Sequence, residues 1–256
     1  MKEFSGGNLL KIKVKPKPKG FILYDGPSIL DGKPIAVIAT LSTSNRKTGP
    51  MIQTWIIRSD MNPVSASKEG EDSSICGSCP HKHNLGGACY VNIGQAPLAI
   101  FKAYKRGVYP HIDYEADHIH FVGRMVRLGA YGDPSAMPYE VAEKVVSMGR
   151  GHTGYTHQIR HKKFDKRFLK LCMVSADTPK QALKYQAMGA KTFRVALEND
   201  SMYDSEIECL SESEGLQCDA CGLCNGQQQS IAIKVHGSRA SKFKSKLIAV
   251  GLTYTI

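Results

Sequence analysis

Residues 169–197, LKLCMVSADTPKQALKYQAMGAKTFRVAL, set the fold class. LKLCMVSAD (169–177) reads as a buried strand and KTFRVAL (191–197) as the next one. Between them Thr178 stands where an N-cap belongs, Pro179 takes the first helical position, and Gly189 ends the helix QALKYQAMG. A strand, a helix and a strand in that order predict parallel pairing through a right-handed crossover.

The same alternation extends outward. HIHFVGRMVRLGAYGD (118–133) reads as a strand region, and Pro138 to Met148 as a helix with Val141, Val145 and Val146 on one side. GYTHQ (154–158) is a short strand, and SIAIKVH (230–236) alternates as a last one. Upstream, PIAVIATLS (34–42) and MIQTWIIR (51–58), separated by SNRKTGP, predict a hairpin, with Trp55 in the core. Gln95 to Arg106 reads as a short helix, whereas Asn62 to Ala88 has no period and reads as a long loop.

These helices are too few for an eight-fold barrel. The expected fold is α/β: a partial (β/α) barrel or a curved, mainly parallel sheet, with the N-terminal β-hairpin as an appendage and Cys-rich loops. One domain spans 1–256, divided into a basic arm (1–20), the hairpin (21–60), a Cys-rich loop (62–94) and an α/β core (95–240) carrying the C-terminal Cys run. Working residues of such folds gather at the C-terminal ends of the strands, which nominates Asp133, His157, Arg160 and Asp177 and puts both Cys-rich loops on that rim. Taken singly, Asp177 before Thr178 reads as help for a helix start and Asp133 before Pro134 as a turn residue.

Half of the chain's 8 cysteines fall in CLSESEGLQCDACGLC (209–224), where Cys218, Cys221 and Cys224 follow C-x2-C-x2-C spacing and Cys209 is a fourth thiol. Thiolates two residues apart on a tight turn can point into one pocket, and Gly222 lets backbone amides approach sulfur. Zinc more often uses two separate C-x2-C knuckles, so the run points to a [4Fe-4S] cluster, with zinc as the alternative. Disulfides would need an oxidising compartment, and the N-terminus MKEFSGGNLLKIKVKPKPKG lacks the apolar core of a secretory signal. A second group, Cys76, Cys79 and Cys89, surrounds His81 and His83, either of which could complete a second metal site. Cys172, in an apolar run, reads as core.

Lys and Arg number 34 against 23 Asp and Glu, a net charge of +11 that favours an acidic partner such as nucleic acid. No apolar run approaches the length of a membrane span, so a cytoplasmic protein without a membrane partner is expected. One nucleic-acid reading takes His118-Ile119-His120 as His-apolar-His on a strand, able to hold a divalent ion as in rolling-circle nickases, with Tyr139 or Tyr185 as nucleophile. Another is a zinc-stapled DNA-binding module that contacts phosphate through LLKIKVKPKPK (9–19) and SRASKFKSK (238–246), where Phe243 is a rare aromatic.

The succession CP-H…ACYVN, VRLGAYGDPSAMP, GYTHQ, residues 171–197, and CDACGLC ending in IAIKVHG resembles the phage "gene product 88" domain family over roughly residues 70–240. That family is similar to radical-SAM-type partial barrels. By its pattern Cys79, Cys89 and Tyr90 match a C…CY element and Arg127, Gly132 and Asp133 an R…GD element. Ser175 and Asp177 match S-x-D, and Cys218, Cys221 and Cys224 the terminal thiols. The resemblance implies a phage-encoded protein of the bacterial host cytoplasm and supplies no reaction. The chain departs from true radical-SAM enzymes: its early group is C-x2-C-x9-C rather than C-x3-C-x2-C, and no cofactor-gripping Gly-rich element is visible. If Cys209 joins the run, no iron is open. If it does not, a thiol from Cys76, Cys79 or Cys89 completes the set.

Overall fold

The computed structural model describes residues 17–198, 200–237 and 239–249. Most of the expected basic arm, residues 1–16, lies outside the described residues. Strand β1 (Gly20–Pro27) pairs antiparallel with β2 (Pro34–Thr40), which pairs antiparallel with β3 (Ile52–Arg58). The β2–β3 hairpin is therefore where the sequence places it, and β1, hidden between the Lys-Pro arm and a turn, adds a third strand. Trp55 is partly buried against the core and donates its indole N–H to Thr40 Oγ1 at 3.0 Å.

The segment read as a long loop instead forms helices α1 (Pro63–Glu69) and α2 (Ser73–Cys76). Asn62 caps α1 by accepting from the N–H groups of Val64 and Ser65, and Gly70 closes it in the left-handed region at φ +80°. The two helices bury Ala66 and Ile75 but are too short to repeat an apolar stripe. Helix α3 (Ala96–Lys105) matches the sequence reading.

Residues 118–133 divide. Strand β4 (Met125–Tyr131) is preceded by a 3-10 turn over Asp117–His120. Upstream of that turn, Asp113 Oδ1 accepts from the backbone N–H groups of Glu115 and Ala116, bending the chain before it can extend. His118 and His120 are thus not on a strand. At three residues per turn, side chains two apart diverge, which removes the geometric premise of the nickase reading. Tyr139 and Tyr185, its proposed nucleophiles, are both buried.

Helix α4 (Tyr139–Ser147) leads to β5 (Gly151–Thr153), which is parallel to β4 and completes a sheet ordered β1-β2-β3-β4-β5. After a single residue the chain enters β6 (Tyr155–Thr156), followed by β7 (Met173–Ala176), α5 (Pro179–Ala187) and β8 (Thr192–Ala196). Then come β9 (Glu206–Glu208), α6 (Leu210–Ser213), α7 (Cys218–Cys221), β10 (Ser230–Lys234) and α8 (Ala240–Ala249). The second sheet, β6-β7-β8-β10-β9, is parallel throughout. The fold is α/β with two mostly parallel sheets and an N-terminal antiparallel run. Among the described residues the strands do not close a barrel.

The β7–α5–β8 unit follows the sequence signals. Thr178 Oγ1 accepts from Gln181 N at 3.1 Å, and Gly189 sits at φ +85°. The strand begins later than residue 169, because Asp165 caps a 3-10 turn over Lys166–Lys170. Cys172 is fully buried in the main core, as expected.

Gly154 is the joint between the sheets. A Cβ there would lie 2.7 Å from Leu171 O and 2.8 Å from Cys172 Sγ, so only glycine lets one strand pass from one sheet to the other. Gly154→Ala is expected to destabilise the fold by about 1–3 kcal/mol through overpacking, measured by urea unfolding.

Candidate metal centre

Arg127 and Tyr131 of β4 pair with Gln53 and Trp55 of β3 across an irregular register in which Gly129 takes φ +67°. Tyr155 of β6 lies beside Arg127 and packs edge-on against Phe193 of β8, with ring centroids 4.8 Å apart. Cys76, Cys79 and Cys89 lie by the C-terminal ends of this layer and Cys218, Cys221 and Cys224 by its N-terminal ends, whereas Cys209 follows the C-terminal end of β9. That corrects the expectation of a single rim.

The early group occupies the C-terminal ends. The Asp133 carboxylate accepts from Ser135 N (3.1 Å), Ser135 Oγ (2.8 Å), Thr156 Oγ1 (2.8 Å) and His157 N (2.8 Å). It is both the turn residue read from the sequence and the anchor that fixes His157. Gln158, fully buried, clamps the Cys76–Cys79 turn: its Oε1 accepts from Ser78 N at 3.0 Å and its Nε2 donates to Cys76 O at 2.9 Å. Gly77, at φ +53°, leaves Gln158 its space, since a Cβ would lie 2.1 Å from Oε1. Gln158→Leu leaves the Ser78 N–H unpaired and removes one of the two hydrogen bonds to the Cys76 carbonyl, which keeps Cys79 N, and is expected to cost about 1–3 kcal/mol by urea unfolding.

Cys76, Cys79, Cys89, His81, Asp72 and Tyr131 line one small cavity there. Burial pushes the Cys76 thiol well up, and Asp72, Cys79 and Cys89 add to the shift. At its edge His81 Nε2 lies 2.7 Å and His157 Nε2 3.8 Å from Asp177 Oδ1. Burial alone would raise the Asp177 pKa, but hydrogen bonds and charge from both histidines hold it below the usual carboxylate range. Burial would likewise lower that of His157, and Cys79 and Asp177 overcome it. Arg160, the remaining rim candidate, is exposed.

The C-terminal run lies along the N-terminal ends. Cys218 N donates to Lys47 O at 3.1 Å and Asp219 N to Thr48 O at 3.0 Å, in the loop before β3. Arg150, just before β5, donates to Asp219 O at 2.6 Å. Gly154 N donates to Cys224 O at 3.0 Å, tying the run to the joint between the sheets. Cys209 enters from β9, its N–H bonded to Ala232 O at 2.9 Å. Burial pushes the Cys224 thiol up to about 12; Cys209, Cys218 and Cys221 reinforce the shift and a hydrogen bond from Tyr155 opposes it. Burial also raises Cys218, against the pull of the nearby Arg127 guanidinium.

All eight cysteines are free, and all except Cys172 are partly accessible. Among the described residues, the His/Cys/Asp/Glu group whose ligand atoms all lie within 4.8 Å of one another is His81, His157 and Asp177. Neither thiol group is drawn that tight. Arg127 stands in the R…GD element, but the sequence does not mark it, Gln158 or Tyr155 as neighbours of the thiols, because each meets them through long-range packing.

The DNA-binding surfaces fare differently. Phe243 is buried and stacks on His81 with centroids 5.5 Å apart, so it is withheld from base stacking. Residues 9–16 of the arm and Ser238 of the basic cluster lie outside the described residues. No helix among the described residues is long and apolar enough to cross a membrane.

Comparison with protein-family models, curated proteins and solved structures finds no match for this chain, so the resemblance to the gene product 88 family stands on its motif order alone.

Proposed function

We propose that this is an iron-sulfur protein in which Cys209, Cys218, Cys221 and Cys224 hold a [4Fe-4S] cluster with an electron-transfer role. We further infer that the two sheets, joined at Gly154, form the open arc of a partial barrel beside it. The observation that carries the reading is that three free thiols, Cys209, Cys218 and Cys221, lie in electrostatic reach of a fourth, Cys224, with Gly222 at φ +66° reversing the turn that bears Cys218 and Cys221. Four thiolates around a cluster leave a net negative charge. Arg127 beside Cys218 offsets part of it, and the Tyr155 hydroxyl bonds to Cys224.

Four protein ligands leave no iron open to substrate, so this chain's residues support electron carriage rather than substrate binding. Partial exposure of the four cysteines gives an electron partner a short path. Anaerobic reduction of the purified protein tests this: the visible absorption should bleach and a paramagnetic signal of a reduced cluster should appear. Colourless protein with all eight thiols titratable would overturn it.

A further inference from the structure

The early thiols are not explained by that cluster, because they lie at the other end of the strands. Cys76, Cys79 and Cys89 line one cavity with His81, and Cys79 N bonds back to Cys76 O at 3.1 Å in a tight knuckle. Cys89 N donates to His81 O at 3.0 Å, closing the far end of the same loop on the knuckle. Four polar atoms of residues lining this cavity, Ser67 Oγ, Asp72 Oδ1, His81 Nδ1 and Tyr131 Oη, are buried without a hydrogen-bond partner among the described residues. Such atoms are costly unless something fills the cavity.

The histidine is oriented in a telling way. With Asp177 Oδ1 at 2.7 Å, Nε2 carries the proton and donates it, leaving the Nδ1 lone pair free. A carboxylate holding one ring nitrogen so that the other can ligate is the recurrent second shell of metal-bound histidine. His83, the other histidine of the loop, already has its Nε2 within 3.3 Å of Val91 O.

We propose a second thiolate-rich metal centre, held by Cys76, Cys79, Cys89 and His81 Nδ1, with Asp177 as the residue that positions His81. Three thiolates and one imidazole take either zinc or an iron-sulfur cluster, and the shared chemistry is a thiophilic metal. Gln158 and Gly77 set the knuckle, so the site is built on the sheet rather than on a free loop.

The test compares zinc, iron and sulfide per chain, on full-length protein purified without oxygen, among the parent, Cys79→Ser, His81→Ala, Asp177→Asn and His157→Gln. Cys79→Ser and His81→Ala should lose one centre's worth of zinc or of iron and sulfide, whichever the site holds. Asp177→Asn should keep the metal with affinity for added Zn2+ weakened by ~10- to 100-fold, and His157→Gln should retain it. Should Cys79→Ser misfold, His81→Ala and the unperturbed His157→Gln still decide. Metal content unchanged in both Cys79→Ser and His81→Ala overturns the proposal. So does loss in His157→Gln with retention in Cys79→Ser, which would place the ion between His81, His157 and Asp177. The C-terminal cluster is read separately by Cys221→Ser, so failure of either site leaves the other standing.

Discussion

Cys221→Ser is expected to remove about four irons and four sulfides per chain relative to the parent, with loss of the corresponding visible absorption. Cys221 closes the four-residue turn Cys218–Cys221, and Gly222 then reverses the chain so that Cys224 can face the same point. Serine keeps the shape but not the soft thiolate that iron requires. The matched control is Cys172→Ser. Cys172 is fully buried beside Gly154, so a hydroxyl there should cost about 1–3 kcal/mol of stability while iron stays at the parent's level. Iron retained in Cys221→Ser but lost in Cys172→Ser would place the cluster elsewhere.

The second large effect concerns stability. Arg194 on β8 is fully buried, and its guanidinium reaches over Ala232 of β10 to Glu206 on β9: Nε to Oε1 at 2.9 Å and Nη2 to Oε2 at 2.7 Å. Asp200 Oδ2 at 3.3 Å and Ser201 O at 3.1 Å take further donors. Small Ala232 is what lets the pair meet across an intervening strand. Glu206→Gln removes the bidentate counter-charge of a buried guanidinium and leaves it only Asp200 at 3.3 Å, and is expected to cost about 3 kcal/mol in urea unfolding. The double change Arg194→Met with Glu206→Leu should recover most of that loss, because it removes both charges together. A single variant within ~0.5 kcal/mol of the parent would contradict the role given to the pair. Because β9 delivers Cys209 to Ala232, Glu206→Gln should also loosen Cys209, the fourth ligand of the proposed cluster.

Local signals made much of this fold legible. Thr178, Pro179 and Gly189 bound α5 as read, and the apolar runs of β2, β3 and β8 appear where the sequence shows them. Short elements were not legible: α1 and α2 never complete a repeat, and β5 and β6 are short pieces of one chain divided between sheets. His118-Ile119-His120 looked like a strand because alternation over three residues does not distinguish extended chain from a 3-10 turn. The cysteine spacings named the donors, but their placement at opposite ends of the strands depends on long-range bonds such as Gly154 N to Cys224 O and Gln158 to Cys76. His157 and Asp177 read as strand-end residues, and the structure brings them together with His81, whose partner across 96 residues no local pattern reveals.

The most direct test of the central claim is iron, sulfide and zinc analysis, with an absorption spectrum, on the parent protein purified without oxygen. A brown protein with broad visible absorption and at least about four irons and four sulfides per chain is the predicted result. A colourless protein carrying stoichiometric zinc and no iron would contradict it.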